Sequence, residues 1–87
     1  MMTDIPCADI SLDLTGLKCP LPVLKARRAI KDMQKGDTLE VLADDPAASL
    51  DFAHFCETGQ HELLETSKTP RPDAEPLLRF LIRVGAG

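Results

Sequence analysis

The residues with the clearest chemical potential are one cysteine and the two prolines that follow it, in the run CPLP at residues 19–22. Proline is tolerated in the first turn of a helix, because the amide hydrogen that it lacks would have no intrahelical partner there. Pro20 and Pro22 therefore predict a helix start, with Cys19 at or near its N-cap. A thiol in that position lies at the positive end of the helix dipole, and neighbouring lysines add to this field. The sequence thus predicts a nucleophilic, outward-facing sulfur at Cys19.

The other two cysteines, Cys7 and Cys56, are interpreted as non-reactive. An unpaired cysteine is more often a small core residue than a nucleophile, and Cys56 falls on the apolar face of a predicted helix. Cys7 lies in a segment with no predicted element. An odd number of cysteines with no CxxC spacing argues against a disulfide framework and against a zinc site. We therefore expect no metal.

Length and composition limit the classes of function. The chain has 87 residues, which suggests a flexible N-terminal segment at 1–9 and a single domain at 10–87. The net charge is −4 and there is no Trp or Tyr, so direct nucleic-acid binding is not expected. No apolar run has the length of a membrane span, and the first residues lack the apolar core of a signal peptide. Free thiols fit a reducing compartment, and we expect a cytoplasmic protein.

Hydrophobic periodicity predicts the element order βαβαββ. Helical connections between the first three strands imply parallel pairing, with the helices on one face of a small mixed sheet. Three prolines between the last two strands, Pro70, Pro72 and Pro76, predict a turn-rich loop. The predicted strands are Ile10–Leu14, Thr38–Ala43, His61–Thr69 and Leu77–Val84, and the predicted helices are Pro20–Lys35, closed by Gly36, and Pro46–Thr58, stopped by Gly59.

The first predicted helix carries a basic ridge on an acidic protein. Six of the ten basic residues lie between positions 18 and 35. Leu21 and Leu24 project from this basic side and not from the core side. A solvated helix face is the plain interpretation of such a run. Exposed leucines beside a thiol and a basic rim favour instead a docking surface for an acidic partner, formed by Lys18, Leu21, Leu24, Lys25, Arg27 and Arg28.

The second predicted helix is expected to cover the core. Its inner face carries apolar residues at helical spacing: Ala48, Phe52, Phe55 and Cys56. Asp44 and Asp45 precede Pro46, which predicts an N-cap carboxylate and not acid–base or metal chemistry. His54 and His61 have no evident partner and are expected to be peripheral.

The sequence around Cys19 resembles the TusA family of small sulfur-carrier proteins. The resemblance spans Ile10 to about Gly85 and rests on five segments: Leu14–Pro22 (LTGLKCPLP), Gly36-Asp37, Ala43–Ala47 (ADDPA), Phe55-Cys56 and Leu81–Arg83 (LIR). It implies an α/β (α+β) two-layer sandwich, with a four-stranded mixed sheet and two helices on one face.

The resemblance also implies a function. Cys19 would accept sulfane sulfur as a persulfide and pass it on, with Gly16, Pro20 and Pro22 shaping the turn. The partners would be a cysteine desulfurase or rhodanese-type donor and a downstream acceptor protein, with no metal or organic cofactor. Family members serve tRNA thiolation, molybdenum-cofactor assembly or sulfur oxidation. Leu21 stands where the tRNA-thiolation members carry an acid, and the loop at residues 70–76 looks longer than theirs, so the acceptor stays open. The sequence also leaves open whether the cargo is sulfur or selenium.

Two other functions are compatible with the residues. One is a non-catalytic regulatory or binding module that uses the basic helix 20–35, with Cys19 as a structural helix start. The other is a redox-sensing thiol, which would have to pair between chains because no resolving cysteine lies at CxxC spacing. A carrier that docks to several partners has no need to self-associate, and we expect a monomer.

Overall fold

The computed structural model describes residues 8–85, and their elements follow the predicted order βαβαββ. Residues 1–7 of the expected flexible segment, including Cys7, lie outside the described residues, and the division into 1–9 and 10–87 stays a prediction. The elements are β1 (Ile10–Asp13), α1 (Leu21–Lys31), β2 (Thr38–Ala43), α2 (Ala48–Gly59), β3 (Glu62–Arg71) and β4 (Ala74–Arg83).

The four strands form one mixed sheet in the order β1-β2-β4-β3. β1 runs parallel to β2, while β4 is antiparallel to both of its neighbours, β2 and β3. The prediction of parallel pairing among the first three strands is therefore confirmed for β1 with β2. It is wrong for β3, which pairs with β4 and does so in the antiparallel direction. The burial pattern explains the insertion of β4. Alternate residues of β4 are buried, as a central strand requires, whereas β3 is exposed along most of its length and takes the edge.

Both helices cover the same face of the sheet, which confirms the predicted two-layer α+β sandwich. Leu39, Val41 and Ala43 of β2 are fully buried beneath the helices. Phe52 of α2 stacks on Phe80 of β4 with ring centroids 4.8 Å apart. The predicted inner face of α2 is confirmed, since all four of its members are buried: Ala48, Phe52, Phe55 and Cys56. These aromatic contacts fix α2 on the sheet and thereby place its first turn beside the start of α1.

The first helix is shorter than predicted. Its N-cap is Pro20, so Cys19 lies one residue before the cap, and Pro22 occupies the first turn. The helix ends at Lys31 with Asp32 as the C-cap, and not at Lys35. Gly36 was predicted as the residue that closes the helix. It lies instead in the turn before β2, where its φ of +96° is a conformation that glycine adopts readily.

The end of α2 and the β3–β4 connection also differ from the prediction. The left-handed residue that caps α2 is Gln60 (φ 61°), and Gly59 is still helical. The predicted proline-rich loop is a long hairpin with a turn at residues 72–73, and Pro70 and Pro76 lie within its strands. β4 pairs with β2 only from Leu78 onward. The earlier part of β4, which contains Pro76, therefore has one free edge, and a proline is tolerated there.

Candidate functional site

Cys19 lies in the connection between β1 and α1, and its side chain is exposed. The connection turns at Gly16, whose φ is +86°. A Cβ at Gly16 would meet no atom within 4 Å, so glycine is needed there for its backbone conformation and not for space. At the start of the turn, Oδ1 of Asp13 accepts hydrogen bonds from the Thr15 hydroxyl (2.7 Å) and amide (3.1 Å). The loop that carries the thiol is therefore bound at its first residues.

Two aspartates that follow β2 hold the same loop. Oδ1 of Asp44 accepts a hydrogen bond from the Gly16 amide at 2.9 Å, and Oδ2 of Asp45 accepts one from the Cys19 amide at 2.5 Å. Since β1 and β2 are parallel neighbours, their carboxyl ends meet at one edge of the sheet. This topology brings residues 26 and 28 positions apart into contact.

The expected N-cap role of these aspartates is wrong in detail. The N-cap of α2 is Ala47, and no side chain caps it. Asp45 still supports the start of α2, because its Oδ1 accepts a hydrogen bond from the Ala47 amide at 3.1 Å. One carboxylate thus connects the first turn of α2 to the backbone of Cys19.

Both aspartates are poised to stay ionised. The Gly16 amide, with the guanidinium of Arg71, lowers the pKa of Asp44 below its usual range. The Cys19 and Ala47 amides lower the pKa of Asp45 in the same way. Hydrogen bonds donated to the charged form of a carboxyl favour that form. Two carboxylates therefore anchor the loop at neutral pH.

A groove between α1 and α2 opens beside the thiol. It has a volume of about 490 Å³ and is lined by Cys19, Pro20, Val23, Arg27, Leu50, Asp51, His54, Phe55 and Thr58. The α1 side contributes Cys19 and Arg27, and the α2 side contributes Asp51 and His54. The predicted peripheral placement of His54 agrees with its exposure, although it lines this groove.

The electrostatics at Cys19 differ from the sequence prediction. The carboxylate of Asp51, which lines the same groove, raises the pKa of the Cys19 thiol as a hydrogen-bond acceptor, and partial desolvation and the negative charges of Asp51 and Asp45 act in the same direction. A carboxylate favours the neutral thiol over the thiolate, because it accepts a hydrogen bond from the S–H group and repels the sulfur anion. The prediction of a thiolate favoured at rest is therefore wrong. Asp51 was missed because no local pattern relates position 51 to position 19.

Cys56 is a core residue, as predicted. It retains 4% of its accessible surface, and burial raises the pKa of its thiol to about 11. A buried, protonated thiol is a poor nucleophile. Of the two cysteines that the structure describes, only Cys19 is exposed.

The predicted docking residues all lie on the surface. Leu21 and Leu24 are 45% and 47% exposed, large values for leucine, and Lys18, Lys25, Arg27 and Arg28 are exposed as well. Within residues 8–85, every ion pair uses an arginine of β3 or β4, namely Arg71, Arg79 or Arg83. The cations of α1 are therefore available to a partner. Their role in docking stays a prediction.

The described residues also limit the kind of site that this domain can hold. Across residues 8–85, no group of three His, Cys, Asp or Glu side chains is placed to hold a metal ion. Nor does the described part of the chain contain a helix long and apolar enough to cross a membrane.

Comparison with known proteins gives consistent relatives. A family model described as "Sulfurtransferase TusA" matches residues 10–84. Two proteins of Neisseria meningitidis, from serogroups A and B, are each 53% identical over 58 residues, which cover 67% of this chain and 78% of theirs. Both are named "Putative sulfur carrier protein". The crystal structure of a SirA-like protein from Desulfitobacterium hafniense superposes with a TM-score of 0.67 at 20% identity, covering 88% of this chain and 99% of that one. This last likeness confirms the fold.

Proposed function

The chain belongs to the TusA family of sulfurtransferases, and from that premise we propose that it carries sulfur as a persulfide on Cys19. The observation that supports this most directly is the placement of Cys19. Its side chain is exposed, while its backbone amide donates a hydrogen bond to Asp45. The sulfur is therefore accessible to another protein, and the backbone that carries it is held in place. A thiol that meets a second protein needs both properties.

The transfer is a thiol–persulfide exchange. The Cys19 thiolate attacks the terminal sulfur of a donor persulfide, R–S–SH. A new S–S bond forms to Cys19, the donor S–S bond breaks, and the donor sulfur leaves as a thiolate. The number of sulfur atoms, electrons and protons is unchanged, so no external oxidant or reductant is required. Delivery repeats the exchange, with an acceptor thiolate attacking the sulfur held on Cys19.

The proton of Cys19 has an acceptor close by. The raised pKa keeps Cys19 a thiol in the free protein, so this proton must leave before attack. Asp51 lines the same groove and is the carboxylate with which the thiol interacts. We assign it the role of proton acceptor as the donor docks. A thiol that ionises only on docking is shielded from unselective reaction with small electrophiles and oxidants.

The exposed edge of α1, together with Lys18 just before the helix, is the proposed docking surface for donor and acceptor. Lys18, Lys25, Arg27 and Arg28 provide positive charge on a protein of net charge −4, and Leu21 and Leu24 provide apolar contact area. Charge complementarity of this kind mainly accelerates encounter and orients the partner. The donors we propose are a cysteine desulfurase or a rhodanese-type protein, acting in the reducing environment of the cytoplasm. Acceptors in tRNA thiolation, molybdenum-cofactor assembly and other sulfur-transfer pathways fit this chemistry equally.

Intact-protein mass spectrometry tests the proposal. The protein is incubated with a cysteine desulfurase, cysteine and pyridoxal phosphate, and is analysed without reductant. We expect a gain of one sulfur atom that a reductant removes. Cys19→Ser should show no gain, and Cys56→Ser, which keeps the reactive thiol, should still be loaded. The same comparison is made with a rhodanese-type donor and thiosulfate. Absence of loading with both donors would overturn the proposal in favour of a non-catalytic module that binds through α1.

A further inference from the structure

Arg71 connects the tip of the β3–β4 hairpin to the loop that carries Cys19. Its Nε donates a hydrogen bond to the Glu75 carbonyl oxygen across the hairpin turn at 2.8 Å. Its Nη2 donates one to Oδ2 of Asp44 at 3.1 Å. The side chains of Arg71 and Asp44 retain 31% and 21% of their accessible surface, so the pair is partly shielded from water. The first contact orients the guanidinium towards the second.

Asp44 uses its two oxygens for two different partners. Oδ2 accepts from Arg71, and Oδ1 accepts from the Gly16 amide at 2.9 Å. Gly16 is the left-handed residue of the loop, three positions before Cys19. A carboxylate held by a guanidinium has less freedom to rotate away from a second donor. The contacts thus form a continuous series from Arg71 through Asp44 to the turn that sets the direction of the chain into Cys19.

The length of the β3–β4 hairpin allows Arg71 to reach Asp44. The last residue of β2, Ala43, pairs with Leu78, and the hairpin continues beyond that level with Thr69 opposite Leu77 and Arg71 opposite Ala74. This extension carries Arg71 past the end of β2, to the level of Asp44. The other two arginines of the sheet, Arg79 and Arg83, pair with glutamates of β2 and β3. Within the described residues, Arg71 is the arginine that forms an ion pair with Asp44, and Asp44 in turn contacts the Cys19 loop at Gly16.

We propose that Arg71 is a positioning residue for sulfur transfer, which fixes the Asp44 carboxylate on Gly16 and so holds Cys19 in the geometry that a docked donor requires. The inference rests on the proposed function of Cys19 and assigns part of its reactivity to the hairpin extension. A hairpin too short to reach Asp44 would leave the carboxylate without its cation. The extension is therefore a functional element and not a spacer of free length.

The test compares Arg71→Ala, Arg71→Lys and Arg83→Ala. Arg83 is the matched control, because it pairs with Glu62 on the same sheet and does not touch the loop. Two quantities are measured: the second-order rate of Cys19 loading from a cysteine desulfurase, and the chemical shift and hydrogen exchange of the Gly16 amide by NMR. We expect Arg71→Ala to slow loading roughly three- to tenfold and to speed exchange of the Gly16 amide. Arg71→Lys keeps the cation but lacks the Nε donor that contacts the Glu75 carbonyl, so it should restore part of both, and Arg83→Ala should change neither.

A double variant checks that Arg71 acts through Asp44. If it does, Arg71→Ala combined with Asp44→Ala should load no more slowly than Asp44→Ala alone. Equal loading rates for Arg71→Ala and Arg83→Ala, or a Gly16 amide unmoved in Arg71→Ala, would overturn the inference. Failure of the underlying function has a different signature, since the wild-type protein itself would then gain no sulfur.

Discussion

The backbone amide of Cys19 donates a hydrogen bond of 2.5 Å to Oδ2 of Asp45, a residue of another connection that lies 26 positions further along the chain. The other oxygen of Asp45 accepts from Ala47 at the start of α2. Cys19 and the second helix are thus held by one carboxylate. Any change at Asp45 acts on the position of Cys19 and on the stability of α2 together.

Asp45→Ala is therefore expected to lower both stability and sulfur loading. It removes two hydrogen bonds to a charged acceptor, and we expect the melting temperature to fall by roughly 5 °C. Asp45→Asn keeps the shape of the side chain and one acceptor oxygen, so its loss should be smaller on both measures. Thermal unfolding by circular dichroism and loading followed by mass spectrometry provide the readouts. A loading rate unchanged in Asp45→Ala would show that the Cys19 amide needs no partner.

Substitution by serine should have different effects on stability at the two cysteines that the structure describes. Cys19→Ser changes an exposed side chain, and its melting temperature should stay within about 2 °C of the wild-type value. Cys56→Ser places a hydroxyl in the apolar core and should lower the free energy of unfolding by about 1–3 kcal/mol. Cys56→Ala, which adds no polar atom, is the control for loss of packing. Urea denaturation measures each value, and a Cys19→Ser protein less stable than Cys56→Ser would reverse these assignments.

The pH dependence of thiol reactivity should report on Asp51. Asp51 raises the pKa of Cys19, as a hydrogen-bond acceptor for the thiol and through its negative charge, so at neutral pH the thiol form predominates. Asp51→Asn removes that charge, which lowers the pKa, increases the thiolate fraction at a given pH and speeds alkylation by iodoacetamide near pH 7. The midpoint of the pH–rate profile should move to lower pH, and Glu57→Gln on the same helix should leave it in place. At the same time, loss of the proton acceptor should slow loading from a docked donor. A midpoint that is unmoved in Asp51→Asn would exclude this electrostatic account.

Much of the fold follows from local patterns in the sequence. The strand Thr38–Ala43 and the buried face of α2 are as predicted, because alternation and helical spacing of apolar residues depend only on neighbouring positions. The position of β4 between β2 and β3 does not follow from a local pattern. It depends on which strand buries more residues once the sheet is assembled, and no local window contains that comparison. The end of α1 was misplaced for a related reason, since Gly36 serves the turn into β2 and not the helix.

The candidate site divides in the same way. Cys19 was identified from a proline pattern within four residues, and its exposure agrees with that prediction. The local pattern indicates only a helix-cap role for Asp44 and Asp45, because their contacts with Gly16 and Cys19 arise only when β1 and β2 lie side by side. Asp51 reverses the expected direction of the pKa of Cys19 from a separate helix. Residue types at a site can therefore be recognised from sequence, whereas their electrostatic balance depends on tertiary contacts.

Charge reversal on α1 should distinguish docking from chemistry. Arg27→Glu combined with Arg28→Glu places four units of charge change on the exposed edge near Cys19, and it should lower the second-order rate of loading from a cysteine desulfurase by roughly tenfold or more at low salt. The wild-type rate should itself fall as salt rises, because screening weakens attraction between exposed charges. Loading by inorganic polysulfide, which requires no protein docking, should change much less. Lys35→Glu, beyond the end of α1, is the control for net charge and should have a smaller effect than either arginine alone. If the two arginine substitutions left the desulfurase rate and its salt dependence unaltered, the docking surface would have to lie elsewhere, while the assignment of Cys19 would stand on its own test.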